Sequence, residues 1–358
     1  MNIAIEYIEK LRMFGRKIIF KHNSYKEYKH IAIGLKMKKL SKEQKKAIQE
    51  YYYSKCGKKI NTRWHQYFYT TTGIFDVRYL PPEFYSFKIL QKLNNPHFMC
   101  RAYADKNFAA ILFPDVLQPK TIIKNINGLY YDCQGCPITE AEAIHSCLNL
   151  PDAIIKPSIN SSVGKNIIRF SSLGGIINKD TSIEHFLSRY HKNFIIQEFL
   201  SQHPTLSLLN PALLNTMRIM TYRREEDVVF LCAVMRVGKK NATVDNMSKG
   251  GVGCRIHSDG RLDKYGYSRI PYAVYEENDW GIKFSDIVVP SFPSIVKKAK
   301  SLHFRVPYAR IIGWDFAVNH EGEAVLIEIN TLFPSSLQQF IAGFGEYTDE
   351  IIEAASNC

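Results

Sequence analysis

The sequence predicts an α+β protein with a basic helical N-terminal region. Three observations carry that prediction. Apolar side chains in the first 60 residues recur at three- and four-residue spacing between charged ones. From about residue 100, short apolar runs alternate with helical stretches. Near the C-terminus a turn joins two such runs into a hairpin that carries acidic residues. The chain has 358 residues, room for two or three domains. It is 46% hydrophobic and 23% charged, which excludes wholesale disorder, a collagen-like chain and a small disulfide scaffold.

The net charge is +13, and it is unevenly placed. Residues 1–60 hold 16 Lys/Arg and 5 Asp/Glu, so the remainder of the chain is nearly neutral. That argues against a nucleic-acid binder with a basic surface throughout, and for a local anionic contact. Ile5, Ile8, Leu11, Phe14 and Ile18 form one apolar stripe. Ser41 precedes a second charged helix, Lys42–Tyr53, in an N-cap position. Two readings stand for residues 1–60: a solvated helical pair packed on the body, or a contact with a membrane surface or acidic glycan. No secretory signal or apolar span is expected, because charges at Glu6, Glu9, Lys10 and Arg12 interrupt the N-terminal run. Eight scattered cysteines then suggest a reducing cytoplasm, with peripheral placement at the inner face of the membrane as an extension.

Residues 61–100 are dense in rings, among them Trp64, Tyr67, Phe68, Tyr79, Phe84 and Phe87, and are expected to serve packing between elements. Strands are expected at Ala153–Lys156, Ile167–Phe170, Phe194–Gln197, Arg218–Tyr222, Val228–Val237, Ile311–Val318 and Ala324–Ile329.

The last two strands flank Asn319-His-Glu-Gly322, which has turn chemistry. A two-residue loop at Glu321–Gly322 sets His320 opposite Glu323 and, counting back, Asp315 opposite Glu328. Asn330 then shares that face. Like charges opposed on a strand pair are destabilising unless neutralised. Three oxygen-bearing side chains on one face suit a hard cation such as Mg²⁺. The alternatives are a basic partner for either carboxylate, or a register shift of one that puts the two on opposite faces.

Lys106 follows a helix-like stretch, and Lys156 ends a β-branched strand. Ser158-Ile-Asn-Ser-Ser-Val-Gly-Lys165 is small and polar, suited to cradling phosphate or to a plain surface turn. It lacks the spacing of a Walker A loop. Gln197-Glu-Phe-Leu200 reads as a hinge. Arg218 enters one strand and Arg236 nearly ends another; charges there need a carboxylate or phosphate partner. Asp245-Asn-Met-Ser-Lys-Gly-Gly-Val-Gly253 is a glycine-rich loop suited to closing over a substrate, or a plain surface loop.

The order of these pieces, with Leu214-Asn-Thr-Met-Arg-Ile-Met-Thr221 and Gly313-Trp-Asp-Phe followed by Ile327-Glu-Ile-Asn-Thr331, resembles the ATP-grasp superfamily, most closely its sugar-transfer-associated group from polysaccharide biosynthesis. The likeness covers about residues 60–345. It implies two α+β subdomains clasping ATP, a lid subdomain 151–205 and a C-terminal core 206–358 with the metal site, preceded by an aromatic-rich region 61–150 and by the basic helical region 1–60 read above from its residues. By resemblance Lys106 and Lys156 meet the phosphates, and Ser161, Ser162, Gly164 and Lys165 form the flap over them. Gln197, Glu198, Phe199 and Leu200 hold adenine, and Asp315, Glu328 and Asn330 carry Mg²⁺. Arg218 and Arg236 stabilise the transferring phosphoryl group. No acidic ribose-binding residue follows the hinge; His203 is the nearest polar substitute, ahead of a long proline-broken loop at residues 202–211.

The activity implied is an ADP-forming carboxylate–amine ligation through an acylphosphate, with a uronic acid or amino acid as plausible substrate. Two competitors remain: phosphoryl transfer to a sugar hydroxyl, with Asp245 or His257 as base, and a non-catalytic basic adaptor of a membrane glycan assembly. Cys133-Gln-Gly-Cys136 reads as a hairpin turn between Leu129–Asp132 and Pro137–Ile138, a lone pair that does not make a zinc site.

Overall fold

A computed structural model of the protein describes residues 3–159, 164, 166–178, 180–242, 245–333 and 336–357. Ser161, Ser162 and Lys165 lie outside the described residues, as do the side chains of Ile5, Ile8, Leu11 and Phe14. Of the expected apolar stripe, only Ile18 is described, and it is 55% exposed.

Among the described residues, fifteen antiparallel strands form two sheets. The first runs from β1 (Thr121–Ile126) through β2 (Leu129–Tyr131), β3 (Pro137–Ile138), β4 (Leu150–Pro157), β5 (Ile168–Leu173), β6 (Ile176–Ile177) and β7 (Thr181–Ser182) to β8 (Phe194–Glu198). Its spatial order is β3-β2-β1-β8-β4-β5-β6-β7. Sequence reasoning begins this unit at residue 151. The sheet instead takes in β1 to β3, because β1 pairs with β8 from Thr121↔Gln197 to Asn125↔Phe194. Alternation sends Ile155, Phe170, Phe194 and Ile196 into a core under the helix Ile183–Ser188. Lys156 and Gln197 alternate with those positions and face the other way.

The second sheet comprises β9 (Met217–Arg223), β10 (Val228–Val237), β11 (Val252–Ile256), β12 (Leu262–Arg269), β13 (Tyr272–Tyr275), β14 (Ile311–Val318) and β15 (Ala324–Asn330), in the order β13-β12-β11-β10-β9-β14-β15. On one face Met217, Ile219, Trp314 and Phe316 pack on the helix Phe292–His303. On the other, Met220, Tyr222 and Ile311 pack on Ile48, Tyr52, Leu80 and Tyr85 from the N-terminal region and on Ile351 and Ile352. Every residue of β14 is buried, as expected for a strand covered on both faces.

Three helices open the chain: α1 (Ile3–Ile31), α2 (Lys42–Cys56) and α3 (Arg63–Thr72). Ser41 caps α2 reciprocally with Gln44, and Gly57 ends it at φ +64°. Lys55 reaches Glu353 at 2.7 Å, and the Tyr51 hydroxyl donates to Asp349 at 2.7 Å, so α2 is fastened to the C-terminal helix. This packing favours the first of the two readings for α2. No helix of the described residues is long and apolar enough to cross a membrane.

The hairpin corrects the expected turn. Asn319 pairs with Glu323, leaving a three-residue loop, His320 to Gly322, with Gly322 at φ +86°. The pairs Val318↔Ala324, Ala317↔Val325 and Phe316↔Leu326 are therefore one residue out of the predicted register. A β-bulge at Ile327 inserts the missing residue, and Asp315↔Glu328 follows. The glycine-rich segment is likewise shorter than a loop to Gly253, since β11 begins at Val252. The Cys133–Cys136 turn is as predicted, with Gly135 at φ +90°, and both thiols are free.

Candidate functional site

The two sheets face each other across a cleft of about 740 Å³. Four neighbouring strands bring its charged floor together. Asp315 on β14 lies opposite Arg218 on β9 and opposite Glu328 on β15, so the three form one row across the sheet. Arg218 donates from Nε and Nη2 to the two carboxylate oxygens of Asp315 at 2.6 and 2.7 Å. Arg236 on β10 donates from Nη2 to the same carboxylate at 2.7 Å. Asp315 is fully buried, and this bidentate clamp supplies the partner its charge requires.

Glu328 faces Lys106, whose Nζ is 3.0 Å from Oε2, and the Asn330 amide donates to Oε1 at 3.3 Å. Burial opposes the charge on Glu328, yet Lys106, Arg218 and Arg236 together hold its carboxyl well below the ordinary range. The expected alternative of basic partners thus describes both carboxylates in this structure. Among the described residues no group of three or more His, Cys, Asp or Glu side chains is gathered for a metal. The oxygen donors present are two carboxylates and an amide, a set compatible with a magnesium ion that completes its shell from water and phosphate.

Lys156 is 6% exposed and lines the same cleft. Burial, with Lys106 nearby, lowers its pKa to about 8. Gly164 also lines the cleft, at φ +66°. At the opposite end Gln197, Glu198, Phe199 and Leu200 form the wall. Gln197 donates to the Pro119 carbonyl at 3.1 Å, while its buried Oε1 has no partner. Glu198 pairs with Lys120 at 2.7 Å. The Arg169 guanidinium lies 3.6 Å from the Phe199 ring centroid and is held by Asp152 through two hydrogen bonds.

Sequence reasoning missed the role of Thr216. Its hydroxyl donates to Asp245 and accepts from Arg236 Nε at 3.0 Å, linking the glycine-rich segment to the arginine pair. Its backbone N–H also donates to Asp245, at 3.1 Å. Burial raises the Asp245 pKa against the pull of Arg236. Asn215 fixes this strand start by donating to Leu206 and Asn210 carbonyls at 2.9 and 3.1 Å. The signal was present in Asn-Thr-Met-Arg, where two small polar residues precede a buried-strand arginine. His257 does not join the site: it stands in the β11–β12 turn, 3.6 Å from Asp263. His203 is likewise elsewhere, capping the helix Pro204–Ser207 through its ring nitrogen.

A family model of sugar-transfer-associated ATP-grasp proteins matches residues 90–347. The chain belongs to that family, and its two-sheet architecture is the ATP-grasp fold. No curated protein matches it. Among solved structures it is similar to the ATP-grasp ligase PsnB complexed with a minimal precursor, at 15% identity and a TM-score of 0.40, over 73% of this chain and 64% of that one. It is similar to the L-amino acid ligase from Bacillus licheniformis at 10% identity and 0.40, over 72% and 50%. A third is the D-cycloserine synthetase DcsG, at 12% identity and 0.41, over 73% and 72%. The chain thus spans less than two thirds of the length of the PsnB and L-amino acid ligases.

Proposed function

We propose that the protein is an ATP- and Mg²⁺-dependent ligase that joins a carboxylate to an amine, releasing ADP and phosphate, in bacterial surface-polysaccharide biosynthesis. One observation carries the reading: Lys106, Lys156, Arg218 and Arg236 converge with Asp315, Glu328 and Asn330 in a single cleft. The excess of cations over carboxylates is what a bound triphosphate needs, and Gln197 Oε1 is a buried acceptor suited to the adenine amino group.

In this reading Lys156 and Lys106 bind the phosphates, with Ser161, Ser162, Gly164 and Lys165 covering them. Gln197 to Leu200 seat adenine, and Glu328, Asn330 and Asp315 hold Mg²⁺. The metal supplies charge neutralisation at the phosphates. A carboxylate oxygen bonds to the γ-phosphorus as the bond to ADP breaks. The amine then bonds to the acyl carbon, phosphate leaves with the bonding pair, and the amine proton passes to solvent. Arg218 and Arg236, rigid on paired strands, stabilise the charge that develops on the phosphoryl oxygens. The setting is cytoplasmic, with α1 at the membrane's inner face.

Asp245 favours a second reading. Its carboxylate sits in the cleft with a raised pKa, which suits a base for phosphoryl transfer to a sugar hydroxyl. Phosphorus NMR of ATP, Mg²⁺ and a panel of uronic acids, amino acids and amines separates the two. Free phosphate with a condensed product supports the ligase. Phosphate retained on a sugar overturns it in favour of the kinase. Absence of Mg²⁺-dependent ATP binding removes both and leaves the adaptor.

A further inference from the structure

A second cavity, of about 880 Å³, adjoins the charged cleft, and Met247, Arg269, Leu332 and Phe333 line both. Its walls come from segments distant in sequence: α1, the aromatic-rich region and β12. Half-buried Phe20, Phe87, Tyr267 and Tyr272 present ring surface, over a floor that includes buried Trp64 and Tyr67. Asn23, Gln91 and Gln339 add amides among them. Phe98, 72% exposed, stands at its edge.

Two features mark this chamber as more than a packing defect. Its wall includes the π-helical turn Tyr85–Leu90, an irregularity that is frequent at functional sites. Arg269, which borders the triphosphate cleft, is held by Glu27 of α1 at 2.5 Å, so the N-terminal helix closes the chamber and positions its cation. Arg101 adds a second positive charge, against one acidic residue.

Flat rings interleaved with amides match a pyranose, which has an apolar C–H face and a rim of hydroxyls. A lipid tail would call for branched aliphatics, and the lining holds few. The surplus of guanidinium groups favours an anionic sugar. We propose that this chamber binds the ring of a hexuronate co-substrate, with its carboxylate at the Arg269–Met247–Phe333 wall where the two cavities meet. The inference rests on the ligase reading for the fate of that carboxylate, but the binding site is testable without turnover. It also gives the ring-rich stretch a role that sequence reasoning had limited to packing.

The test is calorimetry on the full chain without ATP, using D-glucuronate, D-glucose and benzoate as probes, on wild type, Phe87→Ala and Phe98→Ala. Phe98 is exposed enough that its loss leaves the fold intact. Glucuronate is expected to bind, and each variant to weaken it about tenfold, as loss of one aromatic contact does. Mg²⁺-ATP affinity in the same variants is expected to stay within about twofold. Glucuronate binding unmoved by both variants overturns the proposal, as does glucose binding equally well, or benzoate binding in place of both sugars. Failure of the Mg²⁺-ATP titration in wild type instead overturns the nucleotide reading and leaves the sugar result standing.

Discussion

Arg218 and Asp315 stand directly opposite on neighbouring strands, and the guanidinium grips both oxygens of a carboxylate that solvent does not reach. Since Arg236 holds the same carboxylate, Asp315 sets the position of both arginines. Asp315→Asn leaves two guanidinium groups near each other without their shared counter-charge. Unfolding free energy is expected to fall by about 3 kcal/mol, because removing one partner strands buried charge. Turnover is expected to fall by about 10²-fold or more, through misplaced cations. Arg218→Lys keeps the charge but loses the two-pronged geometry, and is expected to lower turnover more than stability. Denaturant melts and ADP release on the same samples check both; unchanged values for Asp315→Asn would remove its positioning role.

The Lys156 ammonium is a cleft group whose titration falls in an accessible range. Its pKa of about 8 lies below the unfolded value, so the folded chain binds fewer protons between the two. This group therefore adds stability as pH rises above about 8 and withholds it below. ATP affinity moves the other way, since only the protonated form attracts phosphate. Affinity is expected to drop as pH passes about 8 in wild type, and Lys156→Met is expected to be weaker and to lack that step. A wild-type profile flat to pH 9.5 would show that Lys156 does not meet the triphosphate.

Thr216 joins Arg236 to Asp245 through one hydroxyl. Thr216→Val keeps the shape and removes the link. Two half-buried charged groups then each lose a hydrogen bond, a cost of about 1.5–3 kcal/mol. Turnover is expected to fall with ATP affinity little changed. An equal loss in Asp245→Asn would mark a positioning network. A far larger loss in Asp245→Asn, with phosphate retained on a sugar, would mark Asp245 as the base of the kinase reading.

Much of this site was legible in the sequence because its residues lie on strands with local signatures. The β14–β15 hairpin shows why that legibility is partial. The pairing of Asp315 with Glu328 was inferred from a two-residue loop, whereas the structure reaches it through a longer loop and a compensating bulge at Ile327. Val325, Leu326 and Ile327 form a continuous apolar run, so the break in alternation that a bulge would leave cannot be read there. Strands β11 to β13 escaped notice because Gly251 and Gly253 suggested a loop, and because Asp263, Lys264 and Arg269 break the apolar pattern of β12. The aromatic chamber was invisible for another reason. It depends on contacts such as Glu27 with Arg269, 242 residues apart, which no local spacing encodes.

At the far end of the cleft, the Arg169 guanidinium lies over the Phe199 ring. Asp152 fixes the Arg169 guanidinium with hydrogen bonds at 2.8 and 2.6 Å, and the guanidinium lies against the ring. This stack is partly exposed, so its contribution to stability is small. Its contribution to adenine binding is expected to be larger, because a ring held in place loses no freedom when a base settles on it. Arg169→Ala is expected to raise KM for ATP about fivefold to tenfold, the scale of one lost aromatic–cation contact. The maximal rate is expected to change less than twofold, since the phosphate end is untouched. Asp152→Asn, which loosens the guanidinium without removing it, should give an intermediate KM. A fall in maximal rate with KM unchanged would place the nucleotide base away from Phe199 and overturn the assignment of this wall.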